Sequence, residues 1–147
     1  MKEVLIMKSA LLTNVAAAQV PLPKMRALLQ NLGALPSWAP EVVRVTPTAT
    51  GFQITRTTNA LNSQETIVVT TVDHRVTYTS TGGRLRYQLV FELVPVTPQQ
   101  TTIQERLYLT DTVYLPVPVS LVAPVAKHAF AQNLSRLIAL AEADRPV

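Results

Sequence analysis

The chain has 147 residues, the size of one domain able to bury roughly 68–70% of its unfolded surface without staples. Hydrophobic residues make up 48% and charged residues 15%, which excludes a disordered chain, and the lack of cysteine excludes disulfides, thiolate zinc sites and cysteine nucleophiles. The net charge of +4 sets nine Arg and four Lys against nine acidic residues, and the basic residues come no closer than the pairs Lys24/Arg26 and Arg84/Arg86, so no basic run marks a nucleic-acid footprint.

Residues 1–8 read as an extended N-terminal segment of a single domain spanning the chain. The opening MKEVLIMKSALLTNVAAAQ imitates a signal peptide, but Glu3, Lys8, Thr13 and Asn14 leave no uninterrupted run of about seven apolar residues for its core. The expectation is a cytoplasmic protein. The uncharged stretch from Thr112 to Ala126 contains Pro116, Pro118 and Pro124 and is shorter than the ~20 residues of a membrane helix, so no membrane span is expected.

An extended segment is expected over about Ser9 to Val20. After Pro23, Met25, Leu28, Leu29 and Leu32 recur at helical spacing until Gly33 and Pro36 stop the pattern, which predicts a short helix with a further turn at Trp38. From Val42 the composition turns to Val, Ile, Thr, Tyr and Arg, suited to a pleated surface. Strands are expected at about 42–48, 52–59, 64–72, 75–81, 84–95 and 101–113, with turns at Thr50-Gly51, Asn59 to Asn62, Asp73-His74, Gly82-Gly83 and Pro95 to Gln100. Such short connections imply antiparallel hairpins. A final helix, capped at Ser120 or Ala123, carries Val122, Ala126, Phe130, Leu134, Leu137, Ile138 and Ala141 as one apolar stripe that must lie across the sheet. No internal repeat or low-complexity tract is present.

Three stretches carry a family likeness: VPLPKMRALLQNLGALPSWAPEVVRV, TVDHRVTYTSTGG and AFAQNLSRLIALAEAD. They resemble the opening strand, helix and Trp–Pro segment, the mid-sheet hairpin and the closing helix of the START-like superfamily, also called SRPBCC. That superfamily includes polyketide cyclase/dehydrase-like proteins, lipid-transfer domains and the major birch pollen allergen. Asn31 stands where many relatives have an aspartate, and Gln99-Gln100-Thr101 where many have a Gly-Thr pair. The resemblance implies an α+β helix-grip fold, a curved seven-stranded antiparallel sheet wrapped around a long C-terminal helix with short helices after the first strand. It also implies a cavity between sheet and helix that holds a small hydrophobic or amphipathic molecule.

The clearest alternation puts Leu85, Tyr87, Leu89, Phe91 and Leu93 inward, with Arg84, Arg86, Gln88 and Glu92 outward. In the next strand Ile103, Glu105, Leu107 and Leu109 share the inward face. Glu105 is then either an acceptor or general acid inside the cavity, or a residue displaced by a bulge near Gln104 or wetted at the mouth. The cost of an unpartnered buried carboxylate, several kcal/mol, weighs toward the second pair of readings. Arg56 shares its face with Phe52 and Ile54, so a contact with Glu105 across the cavity competes with a solvated strand end.

Trp38, Arg56, Tyr78, Tyr87, Leu89, Phe91, Glu105, Leu107, Phe130 and Leu134 are the cavity candidates. His74, beside Asp73, reads as a turn residue because no nucleophile or metal stands nearby, and His128 falls on the polar side of the last helix. Two histidines and no cysteine give no zinc spacing, and none of the four glycines forms a phosphate loop, so neither metal nor cofactor is expected. No nucleophile, base and orienting group can be assembled from inward positions, which favours ligand binding over turnover. A cyclase-like enzyme using Glu105, Arg56 and Tyr87 is one alternative. A protein-interaction module whose cavity is filled by its own side chains is the other.

Overall fold

Alternation over Arg86–Leu93 of one long strand and Gln100–Thr110 of its neighbour buries the inward residues and leaves most of the outward ones half-exposed. The computed structural model describes residues 9–57, 62–111 and 118–143. The expected N-terminal segment 1–8 lies outside them, as do the ends of three expected elements, at 58–59, 112–113 and 144.

The elements run β1 (Leu12–Ala18), α1 (Leu22–Gln30), a single 3-10 turn (Leu32–Ala34), α2 (Leu35–Trp38), β2 (Val42–Pro47), β3 (Phe52–Arg56), β4 (Gln64–Val72), β5 (Arg75–Thr81), β6 (Arg86–Thr97), β7 (Gln100–Asp111) and α3 (Val119–Ala143). All seven strands join one antiparallel sheet in the order β1-β7-β6-β5-β4-β3-β2, so consecutive hairpins build everything except the β1–β7 pairing. The helix-grip expectation therefore holds: α+β, with the long helix packed against β1 and α2.

Local chemistry explains the punctuation. Pro23 sits in the first turn of α1, where its missing N–H costs no helical bond. Asn31 closes α1 with its backbone N–H on the Leu28 carbonyl, and its side chain caps the following 3-10 turn by accepting from the Gly33 amide at 3.1 Å. Asp73 takes the left-handed conformation in the β4–β5 turn, which a short polar side chain tolerates. Gly82 adopts φ +83° in the β5–β6 turn. Helix α3 begins at Val119, two residues before the start that a Ser120 cap implies and five before that of an Ala123 cap, so Pro124 lies inside the helix and cannot donate to a carbonyl one turn back.

The core is centred on Phe91, whose ring meets Tyr78 edge-on at 5.4 Å and Trp38 at 6.5 Å. Met25, Leu29 and Leu32 close it from the α1 side, and Leu134, Leu137 and Ala141 from α3. The other members of the α3 stripe, Val122, Ala126, Phe130 and Ile138, are half-buried. Among the described residues no helix is long and apolar enough to cross a membrane.

Candidate functional site

Between the sheet and α3 the packing leaves a cavity of about 430 Å³. Its apolar wall comes from Leu35 and Trp38 of α2, Ile67, Tyr78, Leu89 and Leu107 of the sheet, and Ala126 and Phe130 of α3. The strands present these side chains because the sheet period is two, and α3 presents Val122, Ala126, Phe130 and Asn133 because they recur every three or four residues. The reading in which the chain fills its own cavity is thus corrected: open space remains. Of the expected wall residues, Trp38, Arg56, Tyr78, Tyr87, Leu89, Leu107 and Phe130 line it. Phe91, Leu134 and Glu105 are not among the lining residues, since each is covered by neighbouring side chains.

One end of the cavity is polar, and it is organised around a carboxylate that alternation alone had not singled out. Glu65, on β4, is 1% exposed. Its Oε1 accepts from Asn62 Nδ2 at 2.9 Å and from Ser80 Oγ at 2.5 Å. Its Oε2 accepts from the Tyr87 hydroxyl at 2.9 Å and forms an ion pair with Nη1 of Arg56. The register makes this convergence possible: Ile54, two residues from Arg56, pairs with Glu65 across β3–β4, and Ser80 pairs with Tyr87 across β5–β6. Asn62 is fixed in turn by Leu85, donating to its carbonyl at 2.7 Å and accepting from its amide at 2.7 Å. Gly83 leaves room for it, because a Cβ there would come within 2.6 Å of the Asn62 side chain.

Four donors on one buried carboxylate offset its desolvation, so the cluster is a satisfied network rather than a stranded charge. The same saturation leaves Glu65 poorly placed to take a proton from a ligand, and commits the Tyr87 O–H to it. Outside the cluster, Arg56 Nε lies 3.9 Å from Glu41 Oε2, and Asn133 Nδ2 of α3 reaches the two Glu41 oxygens at 3.4 and 3.3 Å.

Glu105 lies elsewhere. The sheet register runs without a shift through its position, opposite Asn14 on β1 and Phe91 on β6, and its exposure is 0%. Both the bulge near Gln104 and the wetted mouth are therefore corrected, and Glu105 is inward. The expected contact with Arg56 is corrected as well, since Arg56 pairs with Glu65. Instead Asn14 Nδ2 donates to Glu105 Oε1 at 3.2 Å and to the Lys127 carbonyl of α3 at 3.3 Å. Glu105 Oε2 and Trp38 Nε1 are buried polar atoms with no hydrogen-bond partner among the described residues. Burial pushes the Glu105 carboxyl up to about 7, and the Asn14 hydrogen bond pulls it back only in part. Burial also raises Tyr78, with the Glu105 and Tyr87 charges adding to the effect, while its hydroxyl donates to the Leu29 carbonyl at 2.5 Å.

His74 lies exposed in the β4–β5 turn and His128 exposed on α3. Among the described residues no three His, Cys, Asp or Glu side chains come together as a metal site. The residues missed in the sequence are Glu65, Ser80, Asn62, Asn14, Glu41 and Asn133. For three of them a signal existed: Glu65 shares its face with Ile67, Ser80 with Val76 and Tyr78, and Asn14 with Leu12.

Residues 12–142 match the family model for polyketide cyclase / dehydrase and lipid transport. The chain belongs to this family. No curated protein matches the sequence. Among solved structures, a START superfamily protein from Mycobacterium smegmatis aligns with a TM-score of 0.77 at 17% identity, over 90% of this chain and 97% of that one. The Zhui aromatase/cyclase from Streptomyces sp. R1128 aligns with a TM-score of 0.72 at 8% identity, over 89% and 92% of the two chains. Norcoclaurine synthase from Thalictrum flavum, solved with dopamine and hydroxybenzaldehyde, aligns with a TM-score of 0.70 at 13% identity, over 99% and 92%. At these identities the likeness is one of fold.

Proposed function

We propose that this protein binds a small hydrophobic or amphipathic molecule in the cavity between the sheet and α3. The observation that carries this reading is a cavity of about 430 Å³ with apolar walls, in which Glu41, Arg56, Asn62 and Asn133 are joined in one polar cluster through Glu65. An apolar body placed there is removed from water, while the polar end orients it. The family's name joins lipid transport to cyclase and dehydrase activity, and Glu65 bears on the balance between them. Its lone pairs are occupied by four donors, so the most conspicuous carboxylate of the cavity end holds the wall together rather than waiting for a substrate proton. Binding without turnover is the better fit.

Titration with N-phenylnaphthylamine, a neutral dye that brightens in apolar surroundings, tests this. The wild-type protein is expected to give a saturable rise in fluorescence, and Ala126→Phe, which projects a ring from α3 into the cavity, is expected to abolish it while the protein stays folded. A wild-type protein that leaves the dye dark, or an Ala126→Phe variant that binds it equally well, would overturn the reading.

A further inference from the structure

The charges at the polar end of the cavity do not cancel. Two carboxylates, Glu41 and Glu65, face one guanidinium, Arg56, which leaves a net negative charge when all three are ionised. The two carboxylates are unequal. Glu65 is enclosed and fully bonded, whereas the Glu41 side chain is 37% exposed, lines the cavity, and among the described residues is held only by long contacts, 3.3 and 3.4 Å to Asn133 and 3.9 Å to Arg56. A carboxylate can accept about four hydrogen bonds, so Glu41 has acceptor capacity to spare beside an apolar wall. Arg56, the only cation lining the cavity among the described residues, is already bracketed by both carboxylates. Glu105, deeper in the core, adds negative charge whenever it ionises. On α3, Arg136 donates to Asn133 at 2.9 Å but is exposed to solvent, where its field is screened.

Resting on the binding reading above, we infer that the occupant of this cavity is an apolar molecule with a protonated amine head seated at Glu41, and that the site discriminates against carboxylates. The protein as a whole carries a net charge of +4, which draws anions toward it, so a preference for amines can come only from the local arrangement.

The test is displacement of bound N-phenylnaphthylamine at neutral pH by three molecules of equal chain length: decylamine, decanol and decanoate. Decylamine is expected to displace the dye at a concentration at least about tenfold below that of decanoate, with decanol between them. In Glu41→Gln the ratio of decylamine to decanoate is expected to fall toward one, with dye binding showing that the cavity persists. Glu92→Gln, which removes the same charge from the outer face of the sheet, is expected to leave the ratio in place. Dye bound but displaced equally well by decanoate, or a ratio moved as far by Glu92→Gln as by Glu41→Gln, would overturn the inference and leave the binding reading standing. A protein that binds no dye would overturn the binding reading and this inference with it.

Discussion

Glu65 and Glu105 are both inward-facing carboxylates on strands of the same sheet, and both are cut off from water. Around Glu65 the chain assembles four donors, one of them a guanidinium. Around Glu105 it supplies one amide, shared with a helix carbonyl, and Oε2 has no partner among the described residues. Burial thus sets the cost of a buried acid and its partners decide how that cost is met: by pairing at Glu65, and by an upward shift of the proton affinity at Glu105.

The largest effect expected from this difference is at Glu65. Replacing it with Leu strands the Arg56 guanidinium and three further donors, and urea unfolding is expected to show a loss of roughly 3–5 kcal/mol. The double variant Arg56→Met/Glu65→Leu is expected to recover a large part of that loss, because both charges are then gone. A single variant as stable as wild type would mean that the network is not formed.

Next comes Glu105, where the effect depends on pH. Its folded-state value, about 7, lies above the ordinary 4.5, so the folded protein holds a proton that the unfolded chain has released. Stability should therefore fall as pH rises from about 4.5 to about 7 and remain lower above it, by on the order of 3 kcal/mol. Glu105→Gln is expected to flatten that slope and to be more stable than wild type near pH 8. A wild-type stability that rises across the same window would contradict the assignment.

Smaller effects sharpen the contrast. Ser80→Ala removes one of the four Glu65 donors and is expected to cost about 1 kcal/mol by denaturant unfolding. Least of all, Glu92→Gln breaks the exposed pair in which Arg75 Nε meets Glu92 Oε2 at 2.5 Å, and its effect on the unfolding midpoint should correspond to less than about 1 kcal/mol. If Glu92→Gln costs as much as Ser80→Ala, burial is not what separates the two classes of contact.

The sequence made the sheet legible because alternation runs unbroken over Arg86–Leu93 in β6 and over Gln100–Thr110 in β7, and the same pattern put Glu105 on the inward face. The residue was visible and its environment was not, since Asn14 comes from 91 positions away through the β1–β7 pairing. Glu65 was harder to see. It stands second in QETIVVTTV, where Val68 and Val69 are both half-buried and threonines blur the inward face. The cavity wall was legible as a set of apolar inward positions, but Phe91 and Leu134 carry the same signature as Leu89 and Phe130. Only the three-dimensional distance between α3 and the sheet separates residues that line the space from residues covered behind it. Pro124 points the same way: as a breaker it favours a helix start near position 123, yet α3 tolerates it a turn in.

Native mass spectrometry of freshly purified protein, followed by organic extraction of anything released, tests occupancy of the cavity most directly. A discrete lipophilic adduct, present on the wild-type chain and absent from Ala126→Phe, is the expected result. A bare mass on both, together with no thermal shift across a panel of lipids, long-chain amines and polyketide-like aromatics, would contradict a binding function for the cavity.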